Sequence, residues 1–247
     1  CLNIENRIND SISPLPEYRL EINDDHTITL WVYKGENTPY LYKNKAYRRS
    51  DSASIEVDRL ELNRLILAGM NQDFEDLPAQ TQSLTFHVLE QCMEKHVGIE
   101  TLNQDVLKTL GFFTAQGQYN HAAELLADEN SFSGIDMIRF GNSIDEICER
   151  KKIEHVSILA QYHEALRFFK TQYQYEKIVG AERHIVERIP EKAMREALAN
   201  SLVHRMWDVR TPIQIGFFPD FIEITSPGGL PEGMSTDEYL YHRISSL

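Results

Sequence analysis

The chain has 247 residues, 42% of them hydrophobic and 26% charged, which suits one large or two to three small packed cores and excludes a disordered chain. Acids exceed Lys and Arg by 38 to 25, for a formal net charge of −13, so a surface uniformly coated in phosphate-binding cations is excluded and any nucleic-acid contact must come from a local patch. The three cysteines, Cys1, Cys92 and Cys148, are widely spaced, lack a C-x-x-C pair and read as reduced thiols of a cytoplasmic protein; no leader-like start and no run of 18 apolar residues points to secretion or to a membrane.

Cys1 stands where a methionine would open a gene product, so the chain is expected to begin inside a longer protein. Residues 16–49 read as strands: YRLEI, HTITLWVYK, PYLYK and KAYRR, separated by turn signals at Asn23-Asp24-Asp25, Gly35-Glu36-Asn37 and Lys43-Asn44. Ser54 is expected to cap a helix over 55–69 that turns Ile55, Leu62, Leu65 and Ile66 inward and closes at Gly69. Between Tyr40 and Arg49 lie four cations, Lys43, Lys45, Arg48 and Arg49, and no acid, interleaved with Tyr40, Tyr42 and Tyr47. Basic and aromatic side chains mixed on strands can hold a phosphate backbone and stack bases. The alternative is a solvated hairpin whose tyrosines half-bury against the helix. The phrase TPYLYKNKAYRRSDSAS resembles the end of a Schlafen AlbA-like domain, also called divergent AAA. That resemblance implies the C-terminal part of a nucleic-acid-binding module over 1–75, with Lys43, Lys45, Tyr47, Arg48 and Arg49 facing DNA.

From 71 to 130 the pattern turns helical, over 83–98, 102–113 and 118–128, punctuated by Gly98, Gly111 and Gly117. Leu84, Val88, Leu89, Cys92 and Met93 form one apolar face, and Leu102, Val106, Leu107 and Leu110 another. Three short helices admit a helix-turn-helix or winged-helix reading. However, the only fixed cation over 101–126 is Lys108, set against Asp105 and Glu124. Base readout rests on phosphate anchoring, so a structural connector over 76–132 is the preferred reading.

The segment 134–141 (GIDMIRFG) reads as a buried strand and 144–152 as a charged surface stretch. A long helix is expected over 156–173, with Ile158, Leu159, Tyr162, Leu166 and Phe169 at helical spacing, and a strand over 183–189 leading into Pro190. The stretch 190–207, PEKAMREALANSLVHRMW, opens with a proline at a first-turn position and has no further breaker. Ala193, Met194, Ala197, Leu198, Ser201 and Leu202 would pack inward, while Glu196, Asn200 and His204 stack along one edge at i, i+4 and i+8. Two strands, 211–218 and 221–225, turned at Pro219-Asp220, then run into SPGGLPEG. The whole is an α+β chain, with helices on one face of a mixed sheet in this last part.

REALANSLVHRMW, the strand ending in IEITSPGGLPEGMS and the upstream ILAQYHEALRFF together resemble bacterial transcriptional regulators carrying a RecG C-terminal-like unit, a divergent GHKL (Bergerat-type) nucleotide-binding fold. The resemblance implies a GHKL-like α/β sandwich over 133–247, incomplete at its C-terminal end, with ATP and Mg²⁺ as cofactors. Glu196 and Asn200 match the E-x-x-x-N motif that serves the Mg²⁺–phosphate side. Ser226, Gly228 and Gly229 fall in the loop that holds adenine, and His204 extends the same stripe. Where that superfamily has an adenine-reading aspartate, this chain has Ser226 or Pro227. Read without the resemblance, Glu196 is a solvated acid, Asn200 a satisfied polar group and His204 a helix-end cation.

Three functions follow as expectations. The first is a DNA-binding transcription regulator with a degenerate nucleotide-type sensor, weak in DNA affinity and without catalytic residues. The second is an ATP-hydrolysing relative of DNA-helicase accessory domains, against which stands the absence of G-x-x-x-x-G-K-[ST]. The third is a protein-interaction or homo-oligomerisation module, suited by an acidic, aromatic-rich surface.

Overall fold

The computed structural model describes residues 2–35, 38–50, 53–179 and 182–229. The chain is α+β and divides into two compact units, Cys1–Leu77 and Pro78–Leu247. The expected connector over 76–132 and the expected terminal unit over 133–247 therefore share the second unit.

In the first unit, helix α1 (Leu2–Ser11) precedes six short strands: β1 (Ile12–Ser13), β2 (Tyr18–Ile22), β3 (Ile28–Val32), β4 (Leu41–Tyr42), β5 (Tyr47–Ser50) and β6 (Ala53–Glu56). They pair two by two as β1 with β4, β2 with β3 and β5 with β6, all antiparallel. Helix α1 buries no residue fully; Ile4 and Ile8, four apart, are half-buried on one face. The Lys43-Asn44 turn forms as expected: both residues have positive φ (51° and 64°), and the Tyr42 N–H donates to the Lys45 carbonyl at 2.9 Å.

The helix expected over 55–69 starts later, as α2 (Arg59–Gly69). Ser54 belongs to β6, opposite Arg49, and Ile55 is 44% exposed rather than inward. The cap is Asp58, whose carboxylate accepts from the Glu61 N–H at 2.8 Å; the ladder hydrogen bonds of β6 hold residues 53–56 extended and leave the next good N-cap residue to start the helix. Gly69 ends α2 for a reason other than a left-handed cap. A Cβ there would sit 1.8 Å from the Thr38 carbonyl oxygen, and the positive φ is adopted by Asn71 instead (53°).

The second unit opens with α3 (His87–Val97), α4 (Gln104–Thr109) and α5 (His121–Leu126). Leu89, Leu107, Phe112 and Ala123 form their buried centre, with Phe86, Met93, Leu102 and Tyr119 packed on it. Leu110, expected inward, is among the exposed apolar residues. Asn103 and Asn120 cap α4 and α5. The first turn of α3 is served from afar. Asp128 accepts from the His87 and Val88 N–H groups, each at 2.9 Å, and its Oδ2 lies 2.7 Å from the His87 ring. Partial burial works against ionising Asp128, but these donors outweigh it and hold the carboxyl at about 2.

A carboxyl depressed in the folded state stabilises it above its unfolded pKa, near 4, and loses that stabilisation as pH falls toward 2. His87, raised by the same contact, contributes below its ordinary value of about 6.5 and fades as pH rises through its elevated one. Asp128→Asn is expected to cost on the order of 2 kcal/mol above pH 4, where the carboxylate is ionised in both states, and to flatten the stability curve between pH 4 and 2. Denaturant melts across that range check this; an acid limb unchanged in the variant would show the pair to be unimportant.

The remainder of the unit is built on strands β7 (Ile135–Phe140) and β8 (Ile147–Ile153), helix α6 (Ile158–Tyr173), strands β9 (Gln174–Val179) and β10 (Glu182–Glu187), helix α7 (Glu191–Val203), and strands β11 (Ile213–Phe217) and β12 (Ile222–Thr225). Four of these strands form one sheet in the order β12-β11-β7-β8, with β7 and β11 parallel and the outer pairings antiparallel. The stretch 144–152, expected as a surface segment, is mostly the edge strand β8. Its run of charges hides the strand because an edge exposes most side chains; Arg150 makes a bidentate bridge to buried Asp136 of β7 at 3.0 and 2.6 Å. The strand expected over 183–189 exists but leaves the sheet: among the described residues β10 pairs only with β9, an element not anticipated.

Helix α6 turns Gln161, Ala165, Phe168, Phe169 and Tyr173 inward, a stripe rotated from the expected Ile158, Leu159, Tyr162, Leu166 and Phe169. Buried Gln161 donates its amide N–H to the Val156 carbonyl at 2.7 Å, next to the helix start, while its Oε1 has no hydrogen-bond partner among the described residues. Tyr173 closes the β11–β12 hairpin, its hydroxyl donating to the Phe218 and Phe221 carbonyls, and burial pushes its pKa up to about 12.

Candidate functional site

Pro190 occupies the N-cap position of α7 rather than its first turn, and Glu191 is the first helical residue. Met194, Leu198, Ser201 and Leu202 are buried as expected, whereas Ala193 and Ala197 are exposed. The apolar stripe is thus one narrow ridge. Glu196, Asn200 and His204 lie on the solvent side, not along an edge of a largely buried helix. Asn200 donates to Glu196 at 3.4 Å, and His204 stands at the C-cap, its N–H bonded to the Asn200 carbonyl at 3.0 Å.

Strand β12 delivers the chain into residues 226–229, which seat on the end of α7. The Ser226 hydroxyl donates to the Ser201 carbonyl at 2.8 Å, and the Met206 N–H donates to the Pro227 carbonyl at 2.9 Å. A Cβ on Gly228 would lie 3.8 Å from the His204 carbonyl oxygen, and one on Gly229 would lie 3.4 Å from the Met206 methyl. Ser226, Gly228 and Gly229 are thereby brought beside Ser201, His204 and Met206, with Asn200 and Glu196 one and two turns back along the same helix. Leu230, Pro231 and the rest of the SPGGLPEGMS phrase fall outside the described residues.

An exposed carboxylate and an amide oxygen one turn apart are hard donors of the kind that hold a hydrated Mg²⁺, and paired glycines let a ligand approach the backbone. The adenine side fits less well. Ser226 already spends its proton on Ser201, and no residue of 226–229 carries a carboxylate that could accept from an adenine amino group. Among the described residues, no group of three or more His, Cys, Asp and Glu is gathered to hold a metal ion by itself.

Arg205, one residue past His204, has a role the sequence reading missed. It is 4% exposed, and its guanidinium donates to the carbonyls of Ser133 (2.6 Å), Gly134 (3.3 Å), Val209 (3.3 Å) and Thr211 (2.7 Å) while lying 4.3 Å over the Trp207 ring. It ties the chain entering β7 to the chain entering β11, the two central strands. Burial lowers its pKa to about 10. The available signal was an arginine enclosed between Val203, Met206 and Trp207, an apolar setting that a solvated cation would not need.

The basic stretch of the first unit is less open than its sequence suggests. Lys45 pairs with Glu56 at 2.7 Å and Arg48 with Glu61 at 3.4 Å. Lys43 lies 5.4 Å over the Tyr42 ring, and Tyr42 and Tyr47 are 6.5 Å apart. Alternation along β5 puts Tyr47 and Arg49 on one face and Arg48 on the other. The expectation of four cations without acids therefore holds only along the chain. β6 and α2 fold back and bring carboxylates to Lys45 and Arg48.

No protein-family model matches the chain, and no curated protein does. Among solved structures, the fold is similar to the crystal structure of the DIP2311 protein from Corynebacterium diphtheriae, with a TM-score of 0.57 and 20% identity over 96% of this chain and 50% of that one. The chain spans half the length of that protein, and at this identity the likeness is one of fold. Among the described residues no helix is long and apolar enough to cross a membrane.

Proposed function

We propose that the chain is part of a DNA-binding transcription regulator of the Schlafen AlbA-like and RecG C-terminal-like kind. The β4–β6 region supplies the DNA contact through Lys43, Lys45, Tyr47, Arg48 and Arg49, and the second unit is a GHKL-like sensor that has lost adenine recognition. The observation that supports this reading best is the seating of the Ser226–Gly229 turn on the helix that bears Glu196 and Asn200, the two elements that a GHKL-like site would need side by side. The missing carboxylate weighs against ATPase activity: an adenine amino group left poorly paired costs about 1–3 kcal/mol, or about ten- to a hundredfold in affinity.

Calorimetry with Mg-ATP is expected to detect feeble binding at most, and no hydrolysis above background. A micromolar dissociation constant abolished by Asn200→Ala would instead establish a working nucleotide site. For the DNA contact, replacing Arg48 and Arg49 together by alanine is expected to weaken binding about equally across sequences and to lower the salt slope by about one unit for each phosphate that is no longer neutralised. Wild-type affinity should be no tighter than about 10⁻⁶ M at physiological salt, because Glu56 and Glu61 already compete for the cations. A slope unchanged in the double variant would remove this patch from DNA binding.

A further inference from the structure

The face of the four-stranded sheet turned away from α6 carries a stack of phenyl rings. Phe217 points to the helix side, where it meets Phe168 at 5.1 Å. Gly216 and Phe218 alternate to the other side, joined there by Phe140. A Cβ on Gly216 would come within 2.9 Å of Phe218 and 3.4 Å of Phe140, so the glycine makes room for rings lying over it. Phe140 and Phe218 stack at 4.7 Å and Phe218 and Phe221 at 4.3 Å, each pair 13° from parallel. Phe221 is 54% exposed.

Charge is distributed unevenly over this face. Glu223, Gly216, Ile138 and Arg150 form one row across the four strands. At one end Arg150 is held by Asp136; at the other, three strands or about 14 Å away, Glu223 lies two residues beyond Phe221 on the same face, and Asp220 precedes Phe221 in the turn. Neither of these two carboxylates makes an ion pair among the described residues. The face of a phenyl ring is the negative side of its quadrupole, and a carboxylate on the same face of the strand deepens that potential. Phosphates are repelled by this arrangement and by a net charge of −13. A flat, weakly hydrated cation is favoured, and a guanidinium can stack on the ring while its edge meets carboxylates, as a compact ammonium does less well.

We infer that this open sheet face docks a basic, arginine-bearing peptide segment of a partner protein, one guanidinium stacking on Phe221 with its charge met by Asp220 and Glu223. The site uses no residue of the sensor loop or of the basic hairpin, and it stands or falls apart from their function.

Fluorescence anisotropy with a labelled arginine-rich peptide and a lysine peptide of equal charge, titrated with the full chain at about 0.15 M salt, tests this. The arginine peptide is expected to bind the more tightly. Phe221→Leu is expected to weaken it about two- to fivefold, Glu223→Gln by a similar factor, and Phe221→Tyr to retain binding. Leucine preserves the Phe221 backbone carbonyl that accepts from Tyr173 and Phe218, and thermal melts verify that the variant is folded. Asp105→Asn removes an exposed charge on α4 and should have little effect. Equal weakening in Asp105→Asn and Glu223→Gln, or full affinity in Phe221→Leu, would reduce the binding to general acidic attraction and overturn the proposal. So would preferential binding of a labelled single-stranded oligonucleotide that disappears in Phe221→Leu, since the face would then be a base-stacking platform.

Discussion

Replacing Arg205 by methionine is expected to lower the stability of the second unit by about 2–4 kcal/mol, because several carbonyls lose the charged donor that they share. Four carbonyls receive its guanidinium. The Gly134 oxygen retains a second donor, the Ile213 N–H at 2.9 Å, so the main effect falls on Ser133, Val209 and Thr211. These three hydrogen bonds are part-buried, so water replaces some of what is lost and each carbonyl costs toward the lower end of about 1–3 kcal/mol. Methionine avoids the desolvation that lowers the arginine's pKa to about 10, and that offsets part of the sum. Arg205→Lys should fall between the two: it keeps the charge, but a compact ammonium cannot span carbonyls on both sides of a planar fork. Chemical denaturation midpoints read the effect. A midpoint unchanged in the methionine variant would mean that water replaces the guanidinium and that β7 and β11 do not depend on this tie.

Leu198→Ala is the second large effect, about 2–5 kcal/mol, because Leu198 is fully buried in the middle of α7 and its removal leaves a cavity under the helix. Its neighbour Ala197 faces solvent, and Ala197→Ser should change stability by less than about 0.5 kcal/mol. Denaturant melts of the two variants side by side decide the helix orientation. Comparable destabilisation would place Glu196 and Asn200 on the wrong side and withdraw the site built from them. The loop hydrogen bonds add a check, since they join the loop to the Ser201 carbonyl near the C-terminal end of the same helix and to the Met206 N–H three residues past it.

Elements whose signals are local were legible along the chain. The four-residue spacing of Met194, Leu198 and Leu202, the Pro219-Asp220 turn between alternating strands, and the turn at Lys43-Asn44 each depend on residues within a few positions of one another. The α+β class followed from those elements, as did the placement of a glycine pair after the last strand. Which strands share a sheet emerged only on folding: β7 and β11 are parallel neighbours although α6, α7 and three strands intervene between them, while β9 and β10 pair apart from the sheet. The electrostatics emerged there too. Glu56 and Glu61 meet Lys45 and Arg48, Asp128 caps a helix that begins 41 residues earlier, and Arg205 gathers carbonyls from two strand entries. Periodicity reports which face of an element is buried, because burial repeats with the backbone. Hydrogen-bond and charge partners repeat with nothing along the chain, and they exist only once folding has brought distant backbone and side chains to within about 3 Å of each other.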